Sequence, residues 1–506
     1  MILIFIMIFN FSNKIWLTDD KIIYSDVNSY YAYLPALFIH HDISLEFIKE
    51  DVNKHTKHFW PLPTATGKNA ILTSMGMAYL YLPFFIIAHI VTPFLGYEAD
   101  GFSIPYKVAI VIGCWVYLAI GLYFLRKFLE NYFKQIVIAI TSIAIVIGTN
   151  LLYYTTLDAG MSHTYSFTLF AIFLFLTVRW YKNPGLLNTS YIGMVLGLIS
   201  LVRPSNIIIL ALIIFWGITT WAGLLERVKF FIGKYYLIIL MVFFFFLVWA
   251  PQFLYWKYIS GSFLFNTYGT VGARFYFDDP EITNTLFSYR KGWLIYTPIM
   301  TLALIGIGFL YQRIRQAFFP ILIFTLLNIW VIASWWCWWY GGSYGQRTFI
   351  ESYAILALPF ATITSWFFKK KILLKVIYII LILIFSAHNI FQVIQYRNGA
   401  IHYAMMTKEA YWSSFLKVYP ETEFWELITW PDYEGAKKGE YKENRPVIFD
   451  RSTYEKEIEY YENRLRNSED LQPMLKEKAE KWGISIDSVI KMDAIWLYNH
   501  NKNKSE

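Results

Sequence analysis

Residues 230–251 read FFIGKYYLIILMVFFFFLVWAP, with no charged side chain after Lys234. Surrounded by lipid, such a run can satisfy its backbone amides only within itself, which means a helix, and about 20 apolar residues cover the hydrocarbon core. The pattern recurs at 105–125, 135–153, 161–179, 186–202, 206–222, 293–311, 317–337, 348–367 and 372–394. The opening run, Met1 to Phe9, has no basic stretch before it, unlike a signal peptide, and reads as the start of a first span ending near Leu17. Composition agrees: of 506 residues 57% are hydrophobic, 20% aromatic and only 16% charged. A soluble domain of this length needs more polar surface. The expected fold class is an all-α polytopic membrane protein, a helical bundle of about 11–12 spans.

The loops separate by charge. Arg126, Lys127 and Lys134 occupy one loop, and Arg179 with Lys182, Arg227 with Lys229 and Lys234, Arg313 with Arg315, and Lys369 to Lys371 occupy every second loop thereafter. Basic loops mark the cytoplasmic side, so Asp158, the Arg203-Pro204-Ser205-Asn206 turn, the 252–292 segment and Gly341 to Arg347 are expected outside. This alternation also accounts for the net charge of +8, whose scattered cations give no nucleic-acid surface. A further apolar stretch at 72–96 would break the alternation if it crossed. Its Pro83, Pro93, Tyr79 and Tyr81 suit a juxtamembrane or re-entrant helix at the outer face, which gives eleven spans, with twelve as the alternative. From about residue 396 the chain turns charged, and 396–506 reads as a small, mainly helical outer appendage to the 1–395 membrane domain. Cys114 and Cys337 both lie in apolar runs and form no disulfide framework.

Polar residues with chemical potential gather in the outer segments. Residues 25–35, SDVNSYYAYLP, put Asp26 before a Tyr-rich amphipathic stretch containing Tyr30 and Tyr31. Residues 155–164, TTLDAGMSHT, put Asp158 and His163 between two apolar spans, where an acid is expensive unless used or paired. Either acid could instead cap the helix that follows it, and His163 could be a hydrogen-bonded interface residue. Lys68, Arg203, Arg274, Arg290, Lys291 and Arg347 are the outer cations, and arginine's planar fork matches phosphate oxygens. Glu351 lies one helical turn after Arg347, so an intrahelical pair competes with that use. Residues 335–347, WWCWWYGGSYGQR, combine indoles suited to stacking on sugars with glycines that admit close approach of a ligand.

The Asp26 loop, the Thr66-Gly67-Lys68 segment, the Asp158 loop and the late Trp-Tyr-Gly-Gly-x-x-Gly-Gln-Arg stretch occur in an order that resembles the C-type (GT-C) glycosyltransferase superfamily. The likeness is to its protein O-mannosyltransferase and aminoarabinose-transferase branch, over roughly residues 1–395. The branch's Lys-Pro-Pro-Leu motif is missing; Gly67-Lys68-Asn69-Ala70-Ile71-Leu72 stands nearby. The resemblance implies an enzyme of the bacterial inner membrane with its active site facing the periplasm. It would move a sugar, with inversion, from a polyprenyl-phosphate donor to a lipid, glycan or protein acceptor. Asp26 would be the general base, and Asp158, the second catalytic carboxylate, would orient the acceptor or help position the donor. Arg203, Arg347 and Lys68 would hold the donor phosphate, and Tyr30, Tyr31, His163, Trp339, Tyr340 and Glu351 would line the sugar and acceptor site. No cofactor is implied, and two separated acids without a compact acidic motif favour a metal-free site. The competing classes are a transporter or flippase of lipid-linked sugars, whose polar groups would line mid-depth helices, and a non-catalytic envelope assembly subunit.

Overall fold

The computed structural model describes residues 2–18, 21–441, 451–482 and 485–505. They form a helical bundle whose only described sheet pairs Leu62–Pro63 with Asn69–Ala70. Seven helices are long and apolar enough to cross a bilayer: Gly76–Leu95, Ile104–Leu129, Ser162–Lys182, Tyr235–Ser260, Arg315–Ala333, Arg347–Phe367 and Ile372–Arg397. Ile2–Leu17, Gln135–Ile147, Leu186–Val202 and Pro204–Phe215 are apolar but shorter, and Met300–Arg313 stands within the stretch 293–311. The chain is an all-α polytopic membrane protein.

Fewer helices run the full width than the count of apolar stretches leads one to expect, and the cause is local. Gln135–Ile147 stops at Gly148 and resumes as Leu151–Thr156. Thr297 and Pro298 part Trp293–Tyr296 from Met300–Arg313. The next-to-last span begins as the 3-10 turn Arg347–Ser352 before Tyr353–Phe367. These interruptions adjoin one another: the Tyr353 hydroxyl donates to Asn150 Oδ1 at 2.7 Å, and the Trp293 and Phe349 rings stack at 4.0 Å. Broken backbone inside a bundle needs polar partners. Asn389 provides them, donating to the Ile147 and Thr149 carbonyls at 2.7 and 2.8 Å. The span expected over 206–222 is cut short differently. Gly217, at φ 84°, turns the chain, and Trp221–Gly233 becomes an amphipathic helix with Trp221, Leu225 and Ile232 exposed.

The basic loops meet at one end of the bundle. Lys182 Nζ donates to Asn131 Oδ1 at 2.8 Å, Gln316 Nε2 to the Tyr132 hydroxyl at 3.1 Å, and the Gly217 amide to the Gln316 carbonyl at 2.9 Å. Arg227 lies 3.9 Å from the Tyr181 ring centre in the same layer. Gly76–Leu95 packs on the helix that leads into the first basic loop. It runs antiparallel to Ile104–Leu129, with the Tyr117 hydroxyl donating to the Leu80 carbonyl, Phe84 against Gly113, and His89 bonded to Tyr106. These contacts run from Tyr106 to Tyr117 and carry the helix past the middle of its neighbour, and its length and composition admit a crossing.

The expected domain break after residue 395 is not a break in packing. Ile401, Met405, Met406, Tyr411 and Phe424 join the main core. Arg290 Nη1 donates to the Ala404 and Thr429 carbonyls at 2.9 and 3.2 Å, and buried Lys291 bonds to the Ser343 and Tyr403 carbonyls. These two cations fasten residues 403–429 to the body of the bundle. A separate small core, including Ile458, Leu465, Leu475, Val489 and Ile490, unites the helices Arg451–Arg466, Gln472–Trp482 and Ile486–Ser505.

Candidate functional site

Asp26 opens the short helix Asp26–Tyr31, and the residue before it, Ser25, is held at φ 50°, a region that residues with a Cβ seldom occupy. Among the described residues the carboxylate caps no backbone amide. It accepts instead from Arg347 Nη2, 2.7 Å from Oδ2. That contact removes two structural readings together: Asp26 is not a helix cap, and Arg347 is not paired with Glu351. Glu351, one turn on in the 3-10 segment, accepts from Arg203 Nη1 at 3.0 Å, and His163 Nδ1 lies 3.1 Å from the same oxygen. Arg203 is available for this because Leu186–Val202 ends there. It adopts extended dihedrals, φ −148° and ψ 110°, before Pro204, as the residue preceding a proline prefers.

Asp158 occupies the turn between Leu151–Thr156 and Ser162–Lys182, whose N-cap is Met161. It is 7% exposed, faces the Tyr24 hydroxyl, and has Arg347, Lys21 and Asp26 as its charged neighbours. Burial pushes its carboxyl up from an ordinary 3.8 to about 6, against the opposing pull of Arg347 and Lys21. The two acids thus share Arg347. Tyr30 is buried with Asp26, Arg203 and Arg347 as its charged neighbours and Ser162 near its hydroxyl. Tyr340, at φ 54°, presents its ring 5.8 Å from the Arg203 guanidinium carbon. Asp158 Oδ1, His163 Nε2, Arg347 Nε and Glu351 Oε2 are buried without a hydrogen-bond partner among the described residues. Buried polar atoms are nearly always paired. Four unpaired ones in a single cluster mark a place that a polar ligand can complete.

Three expected site residues lie elsewhere. Lys68 sits at the Leu62–Ala70 hairpin with its ammonium 3.4 Å from the Tyr258 ring centre, donating to the Tyr258 carbonyl at 3.2 Å. It therefore takes no part in the arginine–acid cluster, because the hairpin docks on the end of Tyr235–Ser260. Tyr31 is consumed by packing: its hydroxyl donates to the Gly101 carbonyl at 2.7 Å and its ring meets Tyr81, Phe85 and Phe102. Trp339 is no exposed sugar platform. It is buried with Cys337, Trp338 and Ala436, against the Tyr433 ring. Lys21, Tyr24 and Tyr268 are site neighbours that sequence reasoning missed. Tyr24 and Lys21 precede Asp26 in the same loop, which is the signal that could have found them. Tyr268, whose hydroxyl has Tyr30, Asp26, Arg203 and Arg347 as neighbours, arrives from the 252–292 segment and carries no such signal. No group of His, Cys, Asp and Glu among the described residues is arranged to hold a metal ion.

A carboxyl whose pKa is raised on folding costs stability when ionised. The cost is absent below an unfolded value near 3.8, grows as pH rises through about 6, and is fully present above that. At pH 7 it amounts to roughly 3 kcal/mol for Asp158. Asp158→Asn is therefore expected to melt higher than the wild type at pH 7, with the gap closing toward pH 4. Thermal denaturation at the two pH values checks this, and a lower melting temperature at pH 7 would show that the ionised acid is net stabilising.

Searches of known protein families and of curated proteins find no match to this chain. The fold and the site define a polytopic α-helical membrane protein with a buried arginine–carboxylate cluster at the end opposite its basic loops.

Proposed function

We propose that this protein is a membrane glycosyltransferase of the GT-C kind, moving a sugar from a polyprenyl-phosphate donor to an acceptor at the non-cytoplasmic face of a bacterial inner membrane. The observation that carries the reading is the convergence of Asp26, Asp158, Arg203 and Arg347. These residues come from four separate stretches of chain and meet beside unpaired polar atoms, at the end remote from the basic loops. Since basic loops face the cytoplasm, the cluster faces away from it.

In the proposed reaction Asp26 takes the proton from an acceptor hydroxyl while its oxygen attacks the anomeric carbon from the side opposite the phosphate, and the carbon–oxygen bond to phosphate breaks with its electron pair staying on phosphate. The leaving polyprenyl phosphate gains a negative charge, which Arg347 and Arg203 stabilise. Asp158 orients the acceptor or the donor sugar, and Tyr30 and Tyr340 flank it. An apolar groove of about 440 Å³, lined by Leu196, Ile207, Leu210, Met241 and Phe245 among others, begins in the turn that follows Arg203. It is chemically suited to an isoprenoid chain whose phosphate lies at the arginines.

The test is transfer itself. Purified protein in proteoliposomes is given polyprenyl-phosphate sugars carrying a label, and cells with and without the gene are compared by mass spectrometry of envelope glycans and lipids. A labelled covalent product that disappears with the gene is the expected result. Movement of lipid-linked sugar across sealed vesicles with no covalent product would replace this reading with a carrier.

A further inference from the structure

The pairing that identifies the cluster also blocks it. The Asp26 oxygen that accepts from Arg347 Nη2 at 2.7 Å is already occupied by that hydrogen bond and is not open to an acceptor hydroxyl. The same guanidinium, while bonded to a carboxylate, has its fork partly occupied and cannot present both N–H groups to a phosphate. The burial of the two partners is unequal. The Arg347 side chain is 13% exposed, whereas that of Asp26 is 40% exposed. The arginine is the fixed member, seated against Met161 and with Nε buried and unpaired. The acid is the member with room to leave.

Resting on the transferase reading, we propose that the Asp26–Arg347 pair is an anion-exchange latch, in which the phosphate of the incoming lipid-linked donor takes Arg347 from Asp26 and so frees Asp26 to receive a proton. The exchange is between one anion and another, so the guanidinium is never left uncompensated in its buried seat. Arg203 cannot serve as the latch. Its partner Glu351 is buried and is also bonded to His163, so that pair stays closed while the Arg347 pair opens. The order of events follows: donor first, base released second, acceptor deprotonated third. An acceptor arriving early meets a carboxylate that is still occupied and is not consumed.

The latch makes a counterintuitive prediction about binding. Removing the Asp26 charge removes the phosphate's competitor, so a variant that cannot turn over should bind the donor's phosphate more tightly. The probe is a polyprenyl monophosphate without sugar, titrated into the full-length protein in nanodiscs. Asp26→Asn and, as a second variant, Asp26→Ser are each expected to bind it about fivefold tighter than wild type, the scale of losing one partly exposed ion-pair competitor. Arg347→Ala is expected to bind it more weakly than wild type. Melting temperatures establish which variants are folded. Equal or weaker binding in the folded Asp26 variants would overturn the latch, even if those variants had lost transfer as the transferase reading requires. Retained transfer in Asp26→Asn would instead remove the reading on which the latch rests, so the two failures are distinguishable.

Discussion

Asp26→Asn is expected to lower transfer of a labelled sugar by about a thousandfold, within the range that a positioned general base contributes, while insertion in the membrane and purification stay normal. The amide keeps the side chain's size and can still accept a hydrogen bond from Arg347, so packing around Ser25 and the Asp26–Tyr31 helix has no reason to change. What is lost is the site that receives the acceptor proton. Asp158 cannot substitute for it, since it is only 7% exposed whereas the Asp26 side chain is 40% exposed. Initial rates at saturating donor, measured alongside the melting temperature, separate loss of chemistry from loss of fold. Transfer within a few-fold of wild type would take Asp26 out of the mechanism.

Much of the fold was legible because hydrophobic runs and loop charge report on two strong forces, transfer into lipid and the retention of cations on one side. The runs at 105–125, 161–179 and 372–394 lie inside the helices Ile104–Leu129, Ser162–Lys182 and Ile372–Arg397, with only the first residue of the second falling outside. Interruptions were less visible. Hydropathy over 135–153 does not register that Gly148 to Asn150 leave the helix, because the unwound carbonyls are satisfied by Asn389, a partner 240 residues away. The site was legible as a set of residue types at one end of the bundle, and Asp26, Asp158, Arg203, Arg347, Glu351 and His163 do adjoin one another.

Their pairing was not legible. Spacing put Glu351 one helical turn from Arg347, but that turn is 3-10, and the long-range partners Asp26, Arg203 and His163 decide both contacts. Lys68 and Trp339 failed for a related reason. A lysine beside a glycine and an indole at a membrane surface have the right chemistry for a site, yet here a tyrosine ring and the segment after residue 395 occupy them. Sequence shows what a side chain can do, while the competing partner is chosen by tertiary packing.

The same logic gives the largest expected effect on stability. Glu351 holds Arg203 and His163 from a side chain only 3% exposed, with Arg203 at 21%. Truncating one member of such a pair leaves the other charged and uncompensated, which costs about 3 kcal/mol or more. Glu351→Ala is therefore expected to lower the melting temperature sharply and to reduce the yield of folded protein. The double variant Arg203→Met with Glu351→Leu removes both charges together and fills the space with apolar atoms, so it is expected to regain most of that stability, since replacing a buried pair whole is often neutral. Transfer should not return with it, because the Arg203 charge is needed for the leaving phosphate. Thermal unfolding of the two variants side by side, with donor KM measured on the double variant, distinguishes the roles. If the double variant melts as low as Glu351→Ala, the cost lies in packing at Glu351 and not in an orphaned charge. If it melts near wild type and still transfers sugar with an unchanged donor KM, Arg203 has no part in holding the phosphate.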